Sequence, residues 1–145
     1  MSLGNLLHKK SYIDMDYIYG SLSNSDGENP IDYPALDANP AEVITVATNA
    51  ITGEAKYFEK SDISQDNYDV IKASCSIPLV CPPYIVKGIP YYDGALSDPI
   101  PVEKAFSMGC DRVVLILTRP KDFRRKQGKD LLIARGIRKK YPKAA

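Results

Sequence analysis

Two rhythms of apolar residues run through this chain, and they divide it into short helices and strands. Tyr12, Met15, Tyr19 and Leu22 recur at three- and four-residue intervals, which predicts a helix within Asn5–Asp26, its early Asp14 and Asp16 suited to the positive end of the dipole. The polar run Ser23 to Pro30 breaks it. Its Asp26-Gly27-Glu28 resembles a calcium loop only superficially, because Leu22 and Tyr33 fall where the first and last carboxylates belong. A short helix over Asp32–Asp37 follows. Val43, Ile44, Val46 and Ala47 then make Glu42–Asn49 a nearly continuous apolar strand, suited to burial on both faces. A turn at Ile51-Thr52-Gly53 returns the chain as an antiparallel strand, Glu54–Phe58.

Ser61–Asn67 leads into a helix over Tyr68–Ser76, with Val70, Ile71, Ser74 and Cys75 toward the sheet, ended by Ile77-Pro78. After Pro82-Pro83, Tyr84, Ile85 and Val86 are expected to pair with Ile89, Tyr91 and Tyr92 across a Lys87-Gly88 turn. Asp93-Gly94 closes that hairpin. Glycine allows a sharp turn there, which leaves the Asp93 carboxylate at the rim of the sheet, where open α/β sheets bind ligands. Pro101 opens a helix through Met108, and Gly109 ends it. Val113–Leu117 is a five-residue apolar run of the kind found in a central parallel strand. A basic helix over Gln127–Lys140, with Leu131, Leu132 and Ile137, begins a further layer. This order predicts an α/β fold, a three-layer sandwich with a mostly parallel central sheet, helices on both faces and a β-hairpin.

Size and composition narrow the function. The 145 residues make one domain, and 44% hydrophobic with 26% charged residues is ordinary globular composition. No apolar run reaches the roughly 20 residues of a membrane span. The start lacks a signal peptide's apolar segment, so the expected compartment is the cytoplasm. Three cysteines without a Cys-x-x-Cys pair, and His8 as the single histidine, argue against a zinc site and for reduced, mostly buried thiols; no metal or cofactor is expected. The net charge of +1 hides a basic end: from Arg119 onward only Asp122 and Asp130 are acidic. That run reads as a solvated helix face, with peripheral contact to anionic lipid as the alternative. No nucleic-acid partner is expected, for no binding motif or stacking platform accompanies the charge.

The run Ala73 to Val102 carries the chemistry. Its Asp93-Gly94-Ala95, followed by Asp98-Pro99-Ile100-Pro101-Val102 and later by Leu117-Thr118-Arg119-Pro120, resembles the aspartate motif of the bacterial branch of the patatin-like acyl hydrolases, a family of phospholipases and lipid esterases. Ala73-Ser74-Cys75-Ser76-Ile77-Pro78 and Pro82-Pro83 precede it in the same order, and the likeness spans roughly Leu6 to Pro142.

The resemblance implies a two-residue mechanism. A serine in Gly-x-Ser-x-Gly attacks an acyl ester of a lipid, and Asp93, with Gly94 and Ala95 supporting it, takes the serine proton and returns it to the leaving group. No histidine is needed, in keeping with the polar lead-in around His8. Read without the family, Asp-Gly is first a turn in which the carboxylate bonds its own backbone. Asp98 likewise reads first as a turn or helix-cap residue. The nucleophile motif is absent: Gly20-Ser21-Leu22-Ser23-Asn24 and Gly94-Ala95-Leu96-Ser97-Asp98 both have serine at the wrong offset and lack the second glycine. A Gly-Gly oxyanion loop is absent too. The chain is therefore expected to be the C-terminal portion of such an enzyme, an incomplete domain over residues 1–145 that lacks its N-terminal partner portion and is inactive alone. A non-catalytic lipid-surface or scaffold module using the basic C-terminal helix is the alternative. An incomplete sheet leaves an uncovered edge or apolar face, which invites self-association.

Overall fold

The computed structural model describes residues 11–120, 122–123 and 129–145. Asn5 to Lys10, with His8, lie outside the described residues, as do Gln127 and Gly128 at the start of the basic helix. Among the described residues four strands form one sheet: β1 (Thr45–Asn49), β2 (Ala55–Phe58), β3 (Tyr84–Val86) and β4 (Ile89–Asp93), in the order β2-β1-β4-β3. The helices are α1 (Tyr33–Ala38), α2 (Asp69–Ser74), α3 (Val102–Ser107) and α4 (Lys129–Arg138), with a π-helical segment at Tyr17–Leu22 and a 3-10 turn at Gly94–Leu96.

Both hairpins form where the patterns place them. Tyr84 pairs with Tyr91 and Val86 with Ile89. Lys87 and Gly88 both take positive φ, 49° and 80°, the combination that a two-residue hairpin turn needs to match strand twist. β1 and β2 pair from Thr45↔Phe58 to Thr48↔Ala55. Ala47 is fully buried and its neighbour Thr48 is 1% exposed, so the middle of β1 is covered on both faces. Adjacent β4 residues diverge in the same way. Tyr91 joins Phe58, Tyr68, Val70 and Ala73 in the main core, while Tyr92 packs with Ala50 and with Ile137 of α4.

Four expectations need correction. The described sheet is antiparallel throughout, not mostly parallel. Val113–Leu117 is unpaired, with Val114 87% and Ile116 92% exposed. An apolar run states a need for burial but not the identity of the partner, and a parallel neighbour has to be brought alongside by a crossover; none of the described strands pairs with it. The first helix is shorter than its periodicity implies. Its π-helical turns end where Ser23 Oγ donates to Ile18 O at 2.8 Å and Asn29 N to Leu22 O at 2.9 Å, and Tyr12 stays 54% exposed. Not all the thiols are interior: Cys81 is buried, Cys75 half-buried and Cys110 exposed.

Lys72 is the buried charge that periodicity does not anticipate. It lies on the α2 face toward the core, with Nζ 3.2 Å from Asp69 Oδ1, 3.3 Å from Asp16 Oδ1 and 3.1 Å from Tyr84 Oη. Burial by itself pulls Lys72 down, but its hydrogen bonds to Tyr84 and Asp69 outweigh that and hold the ammonium above its ordinary value. The cluster ties the π-helical segment to α2 and β3.

Candidate active site

The end of β4 is fastened on every side but one. Asp93 N–H donates to the Ser76 carbonyl at 2.9 Å, and the Asp93 carbonyl accepts from Thr48 Oγ1 at 2.8 Å. Its Oδ1 accepts from the Ala95 N–H at 2.8 Å, so the carboxylate caps the 3-10 turn that follows. Oδ2 has no hydrogen-bond partner among the described residues. The structure thus realises the turn role of Asp93 and leaves one oxygen for other work.

Gly94 is required by closeness. A Cβ there would sit 2.5 Å from the Val46 carbonyl oxygen and 2.9 Å from Val46 Cβ, so the turn lies directly on β1. Ala95 supplies the N–H that fixes Oδ1. The expected trio of Asp93, Gly94 and Ala95 is therefore one local unit. Asp98 does not cap α3, whose N-terminal flanking residue is Pro101. Its Oδ2 accepts a 2.6 Å hydrogen bond from Tyr57 Oη, and because that bond favours the protonated phenol it holds Tyr57 above its ordinary value.

Two cavities meet at Asp93. One, of about 530 Å³, is lined by Asp93, Thr48, Ile77, Pro78, Leu96 and Ala134, among others. The other, of about 390 Å³, is lined by Asp93, Ser74, Val46, Asp98 and Pro101, among others. Both fall within the volume range of small-molecule sites. An acid with one oxygen fixed and one unpartnered, at the wall shared by two cavities, can accept a proton from a hydroxyl brought within hydrogen-bond reach.

A family model described as patatin-like phospholipase matches residues 4–106. The chain belongs to the patatin-like phospholipase family. As a patatin-like chain it is a member of a lipid acyl hydrolase family, and its matched residues include the whole sheet and Asp93. The match ends within α3, so Thr118-Arg119-Pro120 and α4 lie beyond it, short of the Leu6 to Pro142 span of the sequence resemblance. No solved structure matches this patatin-like chain.

Two residues of the site were missed by sequence reasoning, Thr48 and Tyr57. Thr48 offers a weak signal, a polar side chain within an apolar strand. Tyr57 offers none, because an aromatic residue on an outer strand is ordinary strand composition. Among the described residues no group of His, Cys, Asp or Glu could hold a metal ion.

Proposed function

We propose that this chain is the base-bearing portion of a serine acyl hydrolase acting on lipid acyl esters such as phospholipids, with Asp93 as general base. The serine it serves lies in a Gly-x-Ser-x-Gly outside these 145 residues, as does the oxyanion loop. The observation that carries this reading is the unpartnered Asp93 Oδ2 at the junction of two cavities. As the serine oxygen bonds to the ester carbonyl carbon, its proton passes to Asp93. On collapse of the tetrahedral intermediate that proton goes to the departing alcohol, and a water molecule repeats the sequence on the acyl-enzyme. The 145 residues alone are expected to hydrolyse a short p-nitrophenyl ester at no more than the background rate, whereas the complete gene product turns it over. Robust turnover by the isolated chain would refute an external nucleophile.

On this reading the three-layer, largely parallel sheet forms only when the remaining portion is present, and Val113–Leu117 then enters it. Without that portion, an extended segment with Val114 and Ile116 almost fully exposed is an association site. Sedimentation of the isolated chain should show dimers or larger species that Ile116→Lys reduces. A clean monomer at high concentration would count against the incomplete sheet.

A second reading, contact with anionic lipid at the cytoplasmic face of a membrane, is favoured by the exposure of Arg135, Arg138, Lys139 and Lys140 at the end of α4. It is compatible with the first. No described helix is long and apolar enough to cross a membrane.

A further inference from the structure

The turn after Asp93 is fastened to the sheet by two side-chain hydroxyls that the proton transfer itself does not use. Thr48, buried on β1, donates from Oγ1 to the Asp93 carbonyl and lies 2.7 Å from Ser97 Oγ. A hydroxyl carries one proton, so with that proton on the carbonyl it is Ser97 that donates to Thr48. One strand further out, Tyr57 on β2 donates to Asp98 Oδ2 at 2.6 Å, with Lys104 Nζ 5.2 Å above its ring. Thr48 thus grips residues 93 and 97, and Tyr57 grips residue 98. The two anchors keep a fixed spacing because β1 and β2 are in register, Val46 opposite Tyr57 and Thr48 opposite Ala55. Between the anchored residues lies the Ala95 N–H that holds Asp93 Oδ1.

We infer that Thr48 and Tyr57 are positioning residues that aim the Asp93 carboxylate by pinning both ends of the turn that holds it. The inference rests on the reading of Asp93 as the base. Removing the Thr48 hydroxyl leaves the Asp93 carbonyl and the Ser97 hydroxyl without their partner, and the turn has to move to satisfy them. Removing the Tyr57 hydroxyl takes away the partner of Asp98 Oδ2 and leaves the far end of the turn held to the sheet less firmly, with the Asp98 N–H still bonded within the turn to the Gly94 carbonyl at 2.9 Å. A displacement of about 1 Å at a catalytic group can cost about 100-fold in rate.

The test uses the complete active protein, assayed well below the melting temperature of each variant. Thr48→Val and Tyr57→Phe are expected to lower kcat by roughly 10- to 100-fold with KM changed less than about twofold. Thr48→Ser, which keeps the hydroxyl, should recover most of the loss. Hydrogen exchange at the Ala95 amide should quicken in Thr48→Val and stay slow in Thr48→Ser. Unchanged kcat with unchanged Ala95 protection in both Thr48→Val and Tyr57→Phe overturns the inference. So does Thr48→Ser behaving like Thr48→Val, because packing of the methyl group would then be the cause. Failure of the underlying reading looks different: Asp93→Asn would keep its activity, and Ala95 exchange, which needs no turnover, would still judge the anchors.

Discussion

Asp93→Asn in the complete enzyme is expected to lower kcat for ester hydrolysis by about 10²- to 10⁴-fold, the usual contribution of a positioned base, while leaving the fold intact. The two side chains have nearly the same shape, and the asparagine carbonyl oxygen can accept from the Ala95 N–H as Asp93 Oδ1 does. The change therefore falls on the other position, where an oxygen able to take a proton becomes an amide nitrogen that can only donate. KM should move little if Asp93 acts in the transition state and not in holding the substrate. Steady-state kinetics with a chromogenic ester, and a thermal melt followed by circular dichroism, separate the two effects. Retention of more than about a tenth of kcat would remove the base role; a large fall in melting temperature would show that the turn needs the charge.

Gly94→Ala is expected to damage stability and activity together. The new Cβ would meet Val46 O at 2.5 Å, Val46 C at 2.8 Å and Val46 Cβ at 2.9 Å, and the first two belong to a strand backbone paired on both sides. Neither strand nor turn yields cheaply, so the loss should be about 1–3 kcal/mol, typical of overpacking. For a chain of this size that is roughly 3–10 °C in melting temperature. The turn is the softer partner. Its outward movement carries the Ala95 N–H away from Asp93 Oδ1, and kcat should fall more than the melting temperature alone explains. Full activity in a stable Gly94→Ala protein would mean that the close approach to β1 is not needed.

The contrast between these residues and others explains what could be read from the chain. The hairpins were legible because their causes are local: Gly88 suits the positive φ that the turn demands there, and Tyr84, Val86 and Tyr91 alternate as strand residues must. The Asp93-Gly94-Ala95 unit was legible for the same reason, three adjacent residues forming one turn. Lys72 was not, since its partners Asp16 and Tyr84 are brought to it by folding and nothing in the α2 pattern marks a buried ammonium. Thr48 and Tyr57 were hidden for an equivalent reason. Each acts on residues more than forty positions away in sequence. The parallel strand at Val113–Leu117 was inferred from its composition, which records how apolar a segment is and is silent on whether a neighbour is present to pair with it.

As the proposed base, Asp93 would enter the reaction with little freedom left to lose. Its peptide N–H and carbonyl are both tied, to Ser76 and to Thr48, and the Ala95 amide has already selected one orientation of the side chain. What remains is small torsional oscillation about two bonds. On that proposal the entropic cost of presenting a proton acceptor at a fixed point is met when the sheet folds, and ordering it again in each catalytic cycle would be unnecessary.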